Sequence, residues 1–203
     1  YVVISRDEDG DEIIAGGGLD GNVIKCVAVS EEARSEGLMN ILVSRLIAIA
    51  HEEGHESVKA FTKPANEDIF RSLGFKLLAS SRNAILMENG RGGLPEYRKY
   101  LESLARPGRN GAIVMNANPF TKGHRYLIEQ AASQVDNLYV IVVKEDRSRF
   151  HYSERKSMIE AGCAGLSNVT VCEGSDYAIS AATFPTYFLK QLDDATPTQI
   201  ALD

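Results

Sequence analysis

Three side chains that can bind a phosphate group stand together at Thr121, Lys122 and His124, within the stretch "NANPFTKGHRYLIEQAA". They follow an apolar run and open an amphipathic segment. A threonine at that point can cap a helix, whose unpaired N–H groups and dipole then favour an anion. Gly123 lets a ligand come close to the backbone. These residues therefore predict an anion-binding site in the first turn of a helix.

The elements around this stretch predict how the site is positioned. Strand-like and helix-like runs alternate along the second half of the chain: residues 112–116, 122–134, 138–143, 153–164, 169–173 and about 183–192. This alternation predicts a parallel sheet with crossover helices, in which ligands bind beyond the carboxyl ends of the strands. Pro119 fixes the backbone where the chain leaves the first of these strands. The helical spacing predicts a buried face formed by Leu127, Ile128, Ala131 and Ala132.

The first part of the chain has a different pattern. Three short strands separated by Asp-Gly turns predict an antiparallel meander at residues 2–5, 13–18 and 23–29. An amphipathic helix then ends at Gly54, and a strand, a short helix and a strand pair follow at residues 57–62, 66–73 and 75–87. We therefore expect an α+β domain with a mostly antiparallel sheet.

The two parts are separated by a stretch rich in glycine and proline. It surrounds a polar helix at residues 96–104, and we interpret it as a linker. The predicted organisation is a first domain at residues 1–88, a linker at 89–110 and a second domain at 111–203. Because the chain begins at Tyr1 rather than at a methionine and ends at Asp203 without a C-terminal stop signal, we expect an excerpt of a longer polypeptide, with the second domain incomplete at its C-terminus.

The segment "NPFTKGH" resembles the (H/T)xGH signature of the nucleotidyltransferase superfamily, and its Asn-Pro-Phe-Thr form is typical of the citrate lyase ligase branch. The resemblance implies a Rossmann-like domain. It also implies that Thr121, Lys122 and His124 contact the ATP phosphates during catalysis. Further ATP-binding positions implied by the match are Asn116, Asn118, Pro119, Phe120 and Gly123.

Two later segments agree with this resemblance. "HYSERKSMIEAG" resembles the FSxxERxxMI helix of related adenylyltransferases, with Ser153 as its cap. "DYAISAATFPTYFLK" resembles the second signature, ISSTxxR, although two alanines replace its hydroxyl residues and the arginine is missing. Ser180, Thr183 and Lys190 are left to anchor the triphosphate.

The first domain resembles the GNAT acetyltransferases. Arg34-x-x-Gly37-x-Met39 matches the acetyl-CoA-binding motif (Q/R)xxGx(G/A), whose loop amides hold the pyrophosphate of CoA, and "NEDIFRSLGF" fits a later element of that fold. Met39 departs from the small residue expected there. The resemblance implies that Arg34, Gly37 and Met39 bind a CoA-like group, and a purely structural role for this domain stays open.

Two further patterns involve histidines. His51-Glu-Glu-Gly-His55 has the form of the zinc motif HExxH, but Gly54 interrupts the helix on which both histidines would have to lie, so we predict no metal site. His151 is expected in a loop, within reach of a phosphate together with Arg147, Arg149 or Arg155.

Composition limits the classes of partner. The net charge is −6 and the basic residues are scattered, so we expect no nucleic-acid binding. No apolar run is long enough to cross a membrane, and three cysteines without paired spacing fit a reducing compartment, so we expect a soluble cytoplasmic protein without a membrane partner.

The combined resemblance implies a specific reaction. Citrate lyase ligases use ATP, with Mg²⁺, and acetate to acetylate the thiol of the CoA-like prosthetic group on the citrate lyase acyl carrier protein, releasing AMP and pyrophosphate. Two alternatives stay open at this point. One is an adenylyltransferase that acts on a phosphorylated cofactor, and the other is a GNAT-type acetyltransferase or acyl-CoA-binding module.

Overall fold

A computed structural model of the chain describes residues 1–6, 12–144 and 149–177. The chain divides between Leu94 and Pro95 into two compact units. Over the described residues the strands and helices lie close to their predicted positions, and the expected α/β class is confirmed. No helix within these ranges is long and apolar enough to cross a membrane.

The first unit is built on a six-stranded sheet in the order β1-β2-β3-β4-β6-β5. All neighbouring strands are antiparallel except β3 and β4, which are parallel and pair only at Val23 with Lys59 and at Ile24 with Ala60. Its elements are β1 (Val2–Ser5), β2 (Ile13–Asp20), β3 (Val23–Val29), α1 (Leu38–Glu52), β4 (Ser57–Thr62), α2 (Glu67–Ser72), β5 (Lys76–Ser80) and β6 (Ile85–Gly90).

Of the helices in this unit, α1 contributes most of the buried core residues. Its buried residues recur at helical spacing and pack against the apolar face of the sheet: Leu38, Leu42, Val43, Leu46 and Ala50. The helix ends at Glu52, before His55, and the His51 ring nitrogen Nδ1 lies 2.8 Å from the carbonyl oxygen of His55. The two histidines therefore do not share a helical face as a zinc motif requires.

The second unit holds a three-stranded parallel sheet in the order β7-β8-β9. Its elements are α3 (Leu94–Leu104), which begins at the division between the units, β7 (Asn110–Met115), α4 (Lys122–Ala132), β8 (Asn137–Val142), α5 (Tyr152–Gly162) and β9 (Val169–Cys172). Ile128 of α4 and Ile159 of α5 are fully buried against one face of the sheet. The expectation that Leu127 faces the core is wrong, because that side chain is 51% exposed while Ile128, one residue along the helix, takes the buried position.

Tyrosine hydroxyl groups fasten α3 to the strand ends of this unit. Tyr97 donates to the carbonyl oxygen of Glu173 at 3.0 Å, and Tyr100 accepts from the amide of Glu173 at 2.9 Å. Tyr139 of β8 donates to the carbonyl oxygen of Leu104 at 3.1 Å. The polar helix expected within the linker therefore belongs to the packing of the second unit.

Burial raises the pKa of Tyr97 from 10.0 to about 12, against a smaller lowering by its hydrogen bond with Ser175. The folded unit therefore keeps the Tyr97 proton between these pH values, whereas the unfolded chain releases it near pH 10. Stability is lost wherever the unfolded state binds fewer protons than the folded one, so we expect the urea midpoint of this unit to fall as pH rises from 10 to about 12. In Tyr97→Phe we expect a smaller decrease in the urea midpoint over this pH range. Tyr126→Phe is the matched control, since Tyr126 is 64% exposed, and an equally steep fall in all three proteins would contradict the prediction.

Candidate functional site

The chain leaves β7 through an irregular loop that leads directly into α4. Ala117, 3% exposed, has a φ of 46°, in the left-handed region that residues other than glycine rarely adopt. The peptide bond between Asn118 and Pro119 is cis. Left-handed alanine costs roughly 1–2 kcal/mol, and such backbone is found mostly where a binding site requires it. The loop is thus held in a costly conformation at the carboxyl edge of the sheet.

Thr121 and His124 form a reciprocal cap at the start of α4. The threonine hydroxyl lies 3.5 Å from the amide of His124, and the amide of Thr121 donates to Nδ1 of the His124 ring at 3.0 Å. The prediction that Thr121 caps this helix is confirmed. Because Nδ1 accepts a backbone hydrogen bond, the neutral ring carries its proton on Nε2. Phe120 stacks on the same ring, with 5.7 Å between centroids, and so helps to fix its orientation.

The first turn of α4 is open at Lys122 and Gly123. Both residues are exposed, and neither of their amides has a partner within the described parts of the chain. A Cβ atom added to Gly123 would meet only the Thr121 hydroxyl oxygen, at 3.6 Å, which is an ordinary contact. The turn therefore presents two N–H groups, the dipole of α4 and a lysine side chain, with no side chain in front of the backbone.

The two asparagines of the loop use their side-chain oxygens within the protein. Oδ1 of Asn116 accepts from Nη1 of Arg155 at 2.8 Å, and Oδ1 of Asn118 accepts from the amide of Phe150 at 3.1 Å. Phosphate oxygens are acceptors, so the side chain of an asparagine can bind them only through Nδ2. Pro119 has no donor and shapes the loop, while the ring of Phe120 occupies the space above Gly162 that a Cβ atom there would fill.

Helix α5 begins near this loop, and its cap differs from the prediction. His151 is the residue that precedes the helix, and its amide donates to the carboxylate of Glu154 at 2.8 Å. The expected cap, Ser153, lies inside the helix. His151 itself is exposed. The start of α5 therefore places a second histidine at the carboxyl edge of the sheet.

Of the three arginines proposed near His151, only Arg149 is described and accessible. Its guanidinium lies 5.8 Å from the ring centroid of Phe150. Arg147 lies outside the described residues. Arg155 is fully buried and donates to backbone carbonyls, so the expectation that it reaches a phosphate is wrong. The sequence contained a signal for this burial, because Ile159 and Cys163 follow Arg155 at intervals of four on the buried face of α5.

The second predicted phosphate signature falls largely outside the described residues, including Ser180, Thr183 and Lys190. The chain leading to it is firmly placed, since the amide of Gly174 donates to the hydroxyl of Tyr152 at 3.1 Å. Gly174 also lies so close to the carbonyl of Val142 that no Cβ atom would fit. The structure thus brings together the first-signature residues from Asn116 to His124 and leaves those of the second signature undescribed.

The first unit contains a cavity of about 510 Å³ where β3 and β4 separate. Val27 and Val29 line it from β3, and Ala60 and Phe61 line it from β4. Arg34 and Met39 also line it, whereas Gly37, with a φ of 72°, is the residue that precedes α1. The side chain of Arg34 is mostly exposed and is paired with Glu31 at 3.3 Å. Two of the three residues predicted to bind a CoA-like group therefore border one cleft.

No group of three or more histidine, cysteine, aspartate or glutamate side chains that could hold a metal ion occurs in the part of the chain that the structure describes.

Comparison with known proteins decides the family. Residues 110–203 match the family model described as the citrate lyase ligase C-terminal domain. The chain is 47% identical over 193 residues to the [citrate [pro-3S]-lyase] ligase of Escherichia coli strain K12, covering 94% of this chain and 54% of that protein. The ligase of Klebsiella pneumoniae is 48% identical over 181 residues, covering 88% and 53%. Residues 110–203 belong to the citrate lyase ligase C-terminal domain family, and the chain is similar to citrate lyase ligases over most of its length. It spans about half the length of these relatives.

Two solved structures show a distant likeness to part of this chain. The first of them, an acetyltransferase from Bacillus cereus, is 18% identical and has a TM-score of 0.39, with 44% of this chain and 70% of the other covered. Ard1 from Thermoplasma volcanium is 20% identical and has a TM-score of 0.34, with coverages of 39% and 64%. Likenesses this distant assign no activity to the first unit.

Proposed function

We propose that the protein to which this chain belongs is an AMP-forming acid–thiol ligase that activates acetate with ATP. Acetate would form acetyl-adenylate, and the acetyl group would then pass to the thiol of the CoA-like prosthetic group on the citrate lyase acyl carrier protein. The observation that carries the proposal is the Thr121–His124 cap, which aims a ring N–H and two open amides outward from the carboxyl edge of a parallel sheet. The printed names of the relatives support the choice of substrates.

The residues present fit a triphosphate. The amides of Lys122 and Gly123, the Lys122 ammonium and Nε2–H of His124 are all donors, as a polyanion requires. The missing Cβ of Gly123 leaves the approach to these amides open. Mg²⁺ would be held mainly by phosphate oxygens, as is usual for nucleotide-bound magnesium.

The reaction requires stabilisation of charge more than a covalent protein nucleophile. A carboxylate oxygen of acetate forms a bond to the α-phosphorus, and the bond between the α-phosphorus and the bridging oxygen of pyrophosphate breaks. His124 and Lys122 would neutralise the charge that develops on the phosphate oxygens, and removing one such donor typically costs about 10²–10³ in rate. The thiol sulfur then attacks the acetyl carbonyl and AMP leaves, while the thiol proton passes to solvent or a base.

The cleft of the first unit supports binding of the carrier's thiol arm. A cavity between two separating strands suits a narrow, extended chain, which can lie along the unpaired edge of β3 or β4. Arg34 at its border would contact a phosphate of the arm, while Met39 occupies part of the lining where the motif has a small residue. This assignment of Arg34, Gly37 and Met39 extends the proposal to the second half-reaction.

The proposal is tested by exchange of labelled pyrophosphate into ATP in the intact protein. We expect exchange that depends on both acetate and Mg²⁺, because pyrophosphate can re-form ATP only from acetyl-adenylate. An adenylyltransferase of phosphorylated cofactors would exchange without acetate and only with its dinucleotide product. A GNAT-type acyltransferase would bind acetyl-CoA and show no exchange. Either of these results would overturn the proposed function.

A further inference from the structure

We propose that Arg155 is a positioning residue for the nucleotide site, which fixes the loop between β7 and α4 without contacting the nucleotide. Its side chain is 0% exposed, although it carries a full charge. A buried charge is retained only where it is well hydrogen-bonded. The contacts of Arg155 show which part of the molecule it stabilises.

The Arg155 guanidinium joins three chain segments. Nε donates to the carbonyl oxygen of Phe150 at 3.1 Å, at the entry to α5. Nη1 donates to the carbonyl oxygen of Val143 at 2.7 Å, where the chain leaves β8. The same nitrogen lies 2.8 Å from Oδ1 and 3.2 Å from the carbonyl oxygen of Asn116, where the chain leaves β7. All three segments lie at the carboxyl edge of the sheet.

A second connection runs between two of these segments. The amide of Phe150 donates to Oδ1 of Asn118 at 3.1 Å, so the entry to α5 is bonded to both asparagines of the loop, directly at Asn118 and through Arg155 at Asn116. Between them lies Ala117 with its left-handed backbone. Such a conformation persists only where neighbouring contacts determine it, and these bonds supply them. These bonds therefore hold the loop that carries Phe120 and Thr121 in the conformation that leads into the first turn of α4.

The chemistry of arginine suits this role. Its planar guanidinium offers several donors in fixed directions, so that one side chain can satisfy carbonyl oxygens from separate segments at once. A lysine would keep the charge but offer a single nitrogen. We therefore expect the effects of Arg155→Lys to lie between those of the native protein and those of Arg155→Met.

Arg125 provides a matched control in the same unit. Unlike Arg155 it is only partly buried; it pairs with Glu129 at 2.6 Å and donates to the carbonyl oxygens of Gly162 and Ala164, the latter at 3.2 Å. Its guanidinium therefore stabilises the C-terminal end of α5, at the opposite end of that helix from Phe150. Arg125→Met removes a comparable set of bonds, which join α4 to the end of α5 and do not involve the carbonyl or side-chain oxygens of the loop between β7 and α4.

The experiment measures two properties of the intact protein: the dissociation constant of magnesium ATP by calorimetry, and hydrogen exchange of the amides of Thr121 and Phe150. In Arg155→Met we expect affinity to fall about ten- to a hundredfold, as misplacement of binding groups by about 1 Å does. Exchange at both amides should rise. Arg125→Met should lower the melting temperature but leave affinity within about twofold and both amides protected.

The outcomes separate this proposal, which rests on the proposed function, from that function itself. Equal losses of affinity and amide protection in Arg155→Met and Arg125→Met would overturn the positioning role and leave nucleotide binding intact. If the unaltered protein binds no nucleotide, the proposed function fails, and hydrogen exchange alone still decides whether Arg155 orders the loop. Unchanged protection of the Thr121 and Phe150 amides in Arg155→Met would overturn the positioning role, whether or not the unaltered protein binds nucleotide.

Discussion

His124→Ala is expected to lower acetate-dependent exchange of pyrophosphate into ATP by at least about 10²–10³, the usual cost of removing one donor that stabilises charge in a transition state. Two contacts hold this donor in a fixed orientation. Nδ1 of His124 is occupied by the amide of Thr121 and the ring is stacked on Phe120, so Nε2–H is already oriented before a ligand arrives. The measurement is initial exchange rate at saturating acetate and several ATP concentrations.

The same substitution also removes half of the cap of α4, and two further variants separate this effect from the loss of the donor. In His124→Gln the side-chain oxygen can still accept from the amide of Thr121, since glutamine is a normal partner in such caps. Its stability should therefore stay near that of the native protein, while exchange remains well below the native rate. Tyr126→Ala alters an exposed side chain on the same helix and should exchange normally. Native exchange in His124→Ala would refute the role assigned to this ring.

Much of the fold follows from local patterns that tertiary packing does not change. The alternating strand-like and helix-like runs after residue 110 predict the parallel sheet because a crossover helix is needed between parallel strands. Thr121 is predictable as a cap because its hydroxyl satisfies an amide only three residues away. Both features depend on neighbours in the sequence. A single sequence is therefore enough to predict them.

Features that depend on distant contacts were harder to predict. Ser153 has the right chemistry for a cap, but the helix begins one residue earlier, at Tyr152, because His151 and Glu154 form the cap instead. Arg155 looks like a surface cation by type, and its burial is explained by carbonyl groups from segments up to 39 residues away. Ala117 shows no sequence sign of its left-handed backbone. The cap of α5 is local and was assigned to the wrong neighbour, whereas the carbonyl partners of Arg155 lie on other elements. The spacing of Arg155 with Ile159 and Cys163 indicates that it faces the core, but a local pattern does not show which groups it bonds there.

Asn116 and Asn118 show the same limit within the site itself. The sequence match predicts that both bind the nucleotide, and the structure places both on the loop between β7 and α4, with their oxygens bonded to Arg155 and Phe150. Part of their role is therefore to hold the loop in place. A sequence motif identifies the residues that a site requires, but it does not show which of them contact the ligand and which hold the loop in place.

Gly123→Ala is the second substitution with a large expected effect, and it should separate stability from function. Alanine within a helix is more stable than glycine by roughly 0.5–1 kcal/mol. The protein offers no obstacle, because the new Cβ atom would meet only the Thr121 hydroxyl oxygen at an ordinary 3.6 Å. The free energy of unfolding should therefore stay constant or rise slightly. Affinity for magnesium ATP should nevertheless fall by at least about tenfold, since the loss of one well-placed charged hydrogen bond costs about that much or more.

The reason is geometric: the methyl group would stand in front of the amides of Lys122 and Gly123, where a phosphate group must approach to use them. Calorimetric titration gives the affinity and urea denaturation gives the stability, both on the intact protein. Gln130→Ala is the control, because it also introduces alanine on α4, at an exposed position two turns from the first turn. If Gly123→Ala alone weakens affinity and stability is not reduced, the cause is a lost contact between the nucleotide and this turn, not a change in the fold. Unchanged affinity would mean that no phosphate lies against this turn, and the nucleotide site would have to be sought elsewhere.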